Sequence, residues 1–113
     1  RQVVARAPDL AGIFGANLFS AIGSADGVKA MGKSGEIKVV AFDAPTRIVD
    51  DLKSGLVDMA IAQHPAEIGY MGVMVAFGHV TGNPVPVSVG TGFTVMTADN
   101  IDDPDISKYV YSD

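Results

Sequence analysis

Apolar positions along this chain fall into two rhythms. Short runs at 10–14 (LAGIF), 37–42 (IKVVAF) and 57–62 (VDMAIA) carry consecutive apolar residues and read as strands. The 37–42 run is rich in β-branched residues and broken only by Lys38, which suits a strand buried on both faces of a parallel sheet. Between the runs the spacing lengthens to three and four. Leu18, Ala21, Ile22, Ala25, Val28 and Met31 form one apolar face and predict a helix over 17–31. A second helix, over 45–54, turns Ile48, Val49 and Leu52 inward and Asp50, Asp51 and Lys53 outward, with Pro45 suited to its first turn. Gly32–Gly35 and Gly55 supply the left-handed residues that end such helices. Strand, helix, strand, helix, strand with short connections predicts an α/β fold, a parallel sheet with right-handed crossovers.

The second half is less regular. A helix over 66–80 places Ile68, Met71 and Val75 on one stripe, while Tyr70, Val73, Met74 and Phe77 make the remainder apolar too. Such a helix needs covering on more than one side. Gly69, Gly72 and Gly78 weaken it, by about 1 kcal/mol each relative to Ala. Residues 85–97 alternate loosely as a further strand, kinked around Gly90, Thr91 and Gly92. Residues 1–7 read as a helix end or frayed terminus, and 99–113 as an acidic tail with a helical turn near 105–111.

Composition narrows the function classes. A net charge of −5 and a pI near 4.7 argue against a nucleic-acid partner, which requires a positive footprint. With no cysteine, thiolate catalysis, thiolate metal sites and disulfides are excluded. The apolar 68–80 segment is shorter than the ~20 residues a bilayer demands. The chain opens at Arg1 without Met or leader, so it reads as the later part of something longer.

Three polar residues stand at three predicted strand ends: Asn17, Asp43 and Gln63. In a parallel sheet these ends lie side by side, at the edge where open α/β sheets take their ligands. Asn and Gln each offer donor and acceptor, and Asp offers two acceptor oxygens, a set suited to vicinal hydroxyls. Each residue also has a local reading: helix cap or turn for Asn17 and Asp43, strand-end amide for Gln63. The coincidence of three favours a ligand.

Other candidates carry less. His64 and His79 lack a carboxylate in metal-motif register. No Gly-x-Ser-x-Gly elbow exists, and Gly90-Thr91-Gly92 lacks the Lys and helix start of a phosphate loop. The five methionines suit packing. Neither a metal nor a cofactor is expected, and no nucleophile–base pair points to an enzyme.

At these residues the chain resembles the ribose-binding-protein-like sugar receptors of bacterial ABC importers. The resemblance rests on GIFGANLFSAIG at 12–23, VVAFDAP at 39–45, AIAQHPAEIGYMGV at 60–73 and VGTGFTVMTADNID at 89–102, in the family's order. It implies an incomplete lobe of a type I periplasmic binding protein, a three-layer, flavodoxin- or Rossmann-like α/β unit. Residues 1–63 would belong to the second lobe, 64–89 would cross to the first, 90–98 would return as a strand, and 99–113 would form the tail. The family's ligand-binding Asn, Asp and Gln fall on Asn17, Asp43 and Gln63. Leu18 departs from the pattern, because many relatives place an Asp there. The half not covered would hold the other lobe and the aromatic rings that stack on sugar.

The reading that follows is non-catalytic capture of a monosaccharide or related polyol by cleft closure, for ABC-type import through membrane permease subunits. The setting would be periplasmic or extracellular, free or lipid-anchored. The alternatives are the effector-binding core of a lactose-repressor-type regulator and, behind it, a small flavodoxin-like enzyme. With the other lobe missing, residues 66–80 are expected to mediate self-association of this chain.

Overall fold

The computed structural model describes residues 2–111. In chain order the elements are α1 (Gln2–Arg6), β1 (Gly12–Gly15), α2 (Leu18–Ala30), β2 (Lys38–Phe42), α3 (Thr46–Lys53), β3 (Met59–Gln63), α4 (Pro65–Val80), β4 (Phe93–Met96) and α5 (Pro104–Ser107). They form an open α/β sheet with flanking helices. The strands lie in the order β1-β2-β3-β4. β1, β2 and β3 are parallel, and β4 joins β3 antiparallel, so the sheet is mixed at that edge.

Alternation along the strands divides the sheet into two unlike faces. Gly15, Val39, Ala41, Ala60, Ala62 and Met96 are buried, and with Ala21, Ala25 and Val28 of α2 and Ile48 and Leu52 of α3 they form the core. Burying Ile48 or Leu52 stabilises the fold by about 1.5–3 kcal/mol each. The other face carries Phe14, Val40, Phe42, Met59, Ile61, Phe93 and Val95, none of them buried. The 37–42 strand is therefore buried on one face rather than two. On its second side Val40 and Phe42 are only half-buried, with Phe14 of β1 edge-on to Phe42 at 6.5 Å between ring centroids.

Gly15 sets how closely α2 approaches the sheet. A Cβ there would stand 2.4 Å from the Ala21 Cα, closer than any side chain can come. The small residues of α2 thus serve contact with β1, not merely amphipathic patterning. Gly55 ends α3 as expected, at φ +75°, with Gly55 N–H donating to Leu52 O at 3.0 Å and Leu56 N–H to Asp51 O at 2.9 Å.

Asp51 departs from the outward position expected of it. It is buried, one turn from Ile48, and its carboxylate accepts from Arg47 Nε at 2.8 Å. The same guanidinium reaches Asp26 of α2 at 2.7 Å, tying the two helices together. The Asp51 hydrogen bond, and then that of Asp26, raise the Arg47 pKa above its ordinary value.

The expected 85–97 strand is shorter than its alternation suggests. Only Phe93–Met96 pairs, because 84–92 runs back alongside α4 with no strand beside it. Pro84 and Pro86 also withhold backbone donors there. No residue of α4 is buried, and Tyr70, Val73, Phe77 and Val80 are each more than 60% exposed. This projecting arm stretches the molecule to 57 × 32 × 20 Å. The radius of gyration is 17.4 Å, against about 13 Å for a compact domain of about 100 residues.

Gly15→Ala is expected to lower stability by about 1–3 kcal/mol, because α2 must move outward to admit the methyl. Thermal denaturation checks this. An unchanged melting temperature would mean that the close approach is not what seats α2.

Candidate functional site

Parallel register brings the three strand ends together. Gly15 pairs with Ala41, and Phe42 pairs with Ile61. Asn17, Asp43 and Gln63, each at or just past the end of its strand, therefore stand on one rim.

Asp43 and Gln63 are joined directly. Gln63 Nε2 donates to Asp43 Oδ1 at 2.7 Å, and both residues are half-buried. Asp43 also has φ +79°, the left-handed region that side chains with a Cβ seldom adopt. Its own N–H still donates to Ile61 O at 2.9 Å, so the chain keeps sheet pairing up to the bend and then leaves it sharply. Pro45 N-caps α3 in an extended conformation instead of occupying its first turn. A backbone held in such a region costs of order 1–3 kcal/mol, and such residues cluster at functional sites.

Asn17 sits on the same rim but bonds to its own helix. Its Oδ1 accepts from Ser20 N at 3.0 Å, while its N–H donates to Ser20 Oγ at 3.1 Å, a reciprocal cap on α2. The capping reading of Asn17 therefore holds. Among the described residues its side-chain NH2 donates to no protein acceptor, which leaves donors at the rim.

Tyr111, which the sequence reading passed over, completes the wall. Its hydroxyl accepts from Ala44 N at 3.1 Å, and its backbone N–H donates to Ala44 O at 3.4 Å, laying the tail beside the β2–α3 turn. Burial, and then the neighbouring Asp43 carboxylate, push the Tyr111 pKa from an ordinary 10.0 up to about 12. With Asp43, Gln63, Pro65, Ile68 and Gly69 it lines a depression of about 440 Å³. The signal in the sequence was two tyrosines around Val110 in an otherwise acidic segment, an apolar patch in need of a surface.

His64 gathers the chain beside this depression. Its ring stacks on Tyr109 at 3.8 Å between centroids and meets Thr94 Oγ1 at 2.8 Å and Glu67 Oε2 at 3.1 Å. Glu67 in turn accepts from Gly92 N at 3.3 Å. The exit into α4, the return into β4 and the tail are thus pinned at one point. Among the described residues no three His, Cys, Asp or Glu side chains gather as a metal site, and no helix is long and apolar enough to cross a membrane.

A rim of two amides and a carboxylate is equipped to orient hydroxyl groups. Asp43→Gly is expected to keep or raise the melting temperature, because Gly adopts φ +79° freely. Asp43→Val should lower it by about 1–3 kcal/mol equivalent, since β-branched residues resist that region. Equal melting temperatures for the two variants would show that the bend carries no strain.

A profile of the periplasmic binding protein domain matches residues 1–84. Among solved structures, an ABC transporter solute-binding protein from Agrobacterium vitis bound with α-D-tagatopyranose is 61% identical, with TM-score 0.92 over 99% of this chain and 38% of that one. A second from Agrobacterium vitis, with bound D-fucose, is 32% identical, with TM-score 0.86 over 97% of this chain and 38% of that one. A carbohydrate transporter solute-binding protein from Agrobacterium radiobacter, in complex with D-arabinose, is 29% identical, with TM-score 0.86 over 97% and 37%. The chain therefore spans under two-fifths of the length of these relatives. A search of curated proteins returned no match. By the match over most of its length, the chain belongs to the periplasmic binding protein domain family.

Proposed function

We propose that this chain is part of a carbohydrate receptor for an ABC importer, and that it captures a monosaccharide or related polyol without chemical conversion. The observation that carries the reading is the Gln63–Asp43 pair at the sheet rim, with Asp43 in a left-handed bend. Gln63 fixes one carboxylate oxygen and leaves the other to accept from a sugar hydroxyl. Asn17 contributes its NH2 from the neighbouring strand end. A hydrogen bond to a charged acceptor is stronger than one between neutral groups, so Asp43 is the dominant contact. The sugar-bound relatives support the same ligand class.

In this reading residues 1–63 belong to one lobe, 64–89 cross to a second, and 90–98 return. The pinned point at His64, Thr94 and Tyr109 is where the lobes hinge. Closure excludes water from the rim and presents a shape that permease subunits recognise, in the periplasm or outside the cell. In the full-length receptor the bare sheet face and α4 are covered by the rest of the protein. In the isolated 113-residue chain, a second copy covers α4 through Tyr70, Val73 and Phe77.

Calorimetry of the full-length receptor against D-tagatose, D-fucose and D-arabinose tests the ligand class. Asp43→Ala should weaken the best of these by ~1.5–3 kcal/mol or more. Unchanged affinity would remove Asp43 from the site.

Sedimentation of the isolated chain tests the covering of α4. Its mass should rise with concentration, and the double change Val73→Glu, Phe77→Glu should abolish the rise. A mass independent of concentration would rule out self-association.

A further inference from the structure

Tyr111 lies 67 residues from Ala44 in sequence, yet its hydroxyl and its backbone N–H both bond to that one residue. The peptide bond between Asp43 and Ala44 is the one that leaves the left-handed bend. Ala44 is fully buried, so neither its N–H nor its carbonyl has solvent to fall back on. A parallel bridge between Pro45 and Tyr111 extends the same attachment by one residue. Tyr111 also lines the depression that Asp43 and Gln63 line, and its hydroxyl sits on the peptide N–H that follows Asp43.

We propose that Tyr111 is a positioning residue for ligand capture, holding the β2–α3 turn so that the Asp43 carboxylate meets the sugar already oriented. This rests on the sugar-capture reading of the same rim. Gln63 holds the carboxylate from β3, and Tyr111 holds the backbone behind it from the tail. Between them the acceptor is fixed before ligand arrives, which removes an ordering cost from binding. The acidic tail is then part of the binding machinery, although nothing in it need touch sugar. The raised ionisation of Tyr111, caused by burial and then by Asp43, is consistent with a hydroxyl that faces the carboxylate.

The test uses the full-length receptor and two measurements. In the first, calorimetry with D-tagatose compares wild type, Tyr111→Phe, Asp43→Asn and the double variant. Phe keeps the ring and removes only the hydroxyl. Tyr111→Phe should weaken binding roughly 5- to 20-fold. It should also lower the unliganded melting temperature, because the buried Ala44 N–H loses its acceptor, so the positioning role is read from the double variant and not from stability. In the double variant it should add little to Asp43→Asn, because the two residues act as one unit. In the second, the ionisation of Tyr111 is followed by 13C NMR of its ring, assigned by its loss in Tyr111→Phe. Asp43→Asn should lower the pH at which it ionises, while burial keeps it above 10.0.

Full additivity of the two substitutions, or full affinity in Tyr111→Phe, would overturn the proposal while leaving sugar capture intact. A tyrosine titration untouched by Asp43→Asn would overturn it whatever the sugar result. A coupled titration in a receptor that binds none of D-tagatose, D-fucose and D-arabinose would overturn the sugar reading and leave the turn-fixing role standing.

Discussion

The missing side chain of Gly15 governs how the helix layer sits on the sheet. Because a Cβ there would collide with Ala21, α2 comes closer to β1 than ordinary packing permits. That approach places Asn17, the cap of α2, at the carboxyl end of β1. It also places Asp26 where Arg47 of α3 can reach it, so the second helix is aligned by the first. At the opposite end of the sheet, Asp58 takes Lys38 Nζ at 2.8 Å and Val39 N at 2.9 Å, fixing where β2 starts against β3. The strand ends are therefore level at the rim because the strand beginnings are level below.

On that frame the rim gathers groups that would be costly if left alone. A half-buried carboxylate needs partners, and Asp43 finds one in Gln63. A buried peptide beyond a left-handed residue needs partners too, and Ala44 finds them in Tyr111. The arrangement holds one acceptor oxygen of Asp43 in place against Gln63.

How much of this was legible depends on whether a signal was local. Strands 10–14, 37–42 and 57–62 and helices 17–31 and 45–54 were marked by hydrophobic period and by Gly and Pro at their ends, and the elements lie there within a few residues. The strand-end position of Asp43 and Gln63 could be read because parallel order follows from the element sequence. Their hydrogen bond and the sign of the Asp43 φ could not, since both depend on the neighbouring strand. Asp51 was misread because its partner Arg47 also serves α2, a tertiary fact invisible to helical period. Alternation over 85–97 overstated the strand because pairing requires a neighbour, and only Phe93–Met96 has one. Tyr111 was missed because its partner is 67 positions away.

The knot at His64 has a mechanical consequence. Gln63 belongs to the rim, His64 to the knot, and α4 begins at Pro65, so recognition and projecting arm are separated by a single residue. An arm of 16 residues is about 24 Å long. Turning it by about 10° about the knot carries its tip about 4 Å, while the atoms at the fulcrum shift by only a fraction of that. A turn at the rim too small to break one hydrogen bond would, by this geometry alone, be magnified at the far end of the arm.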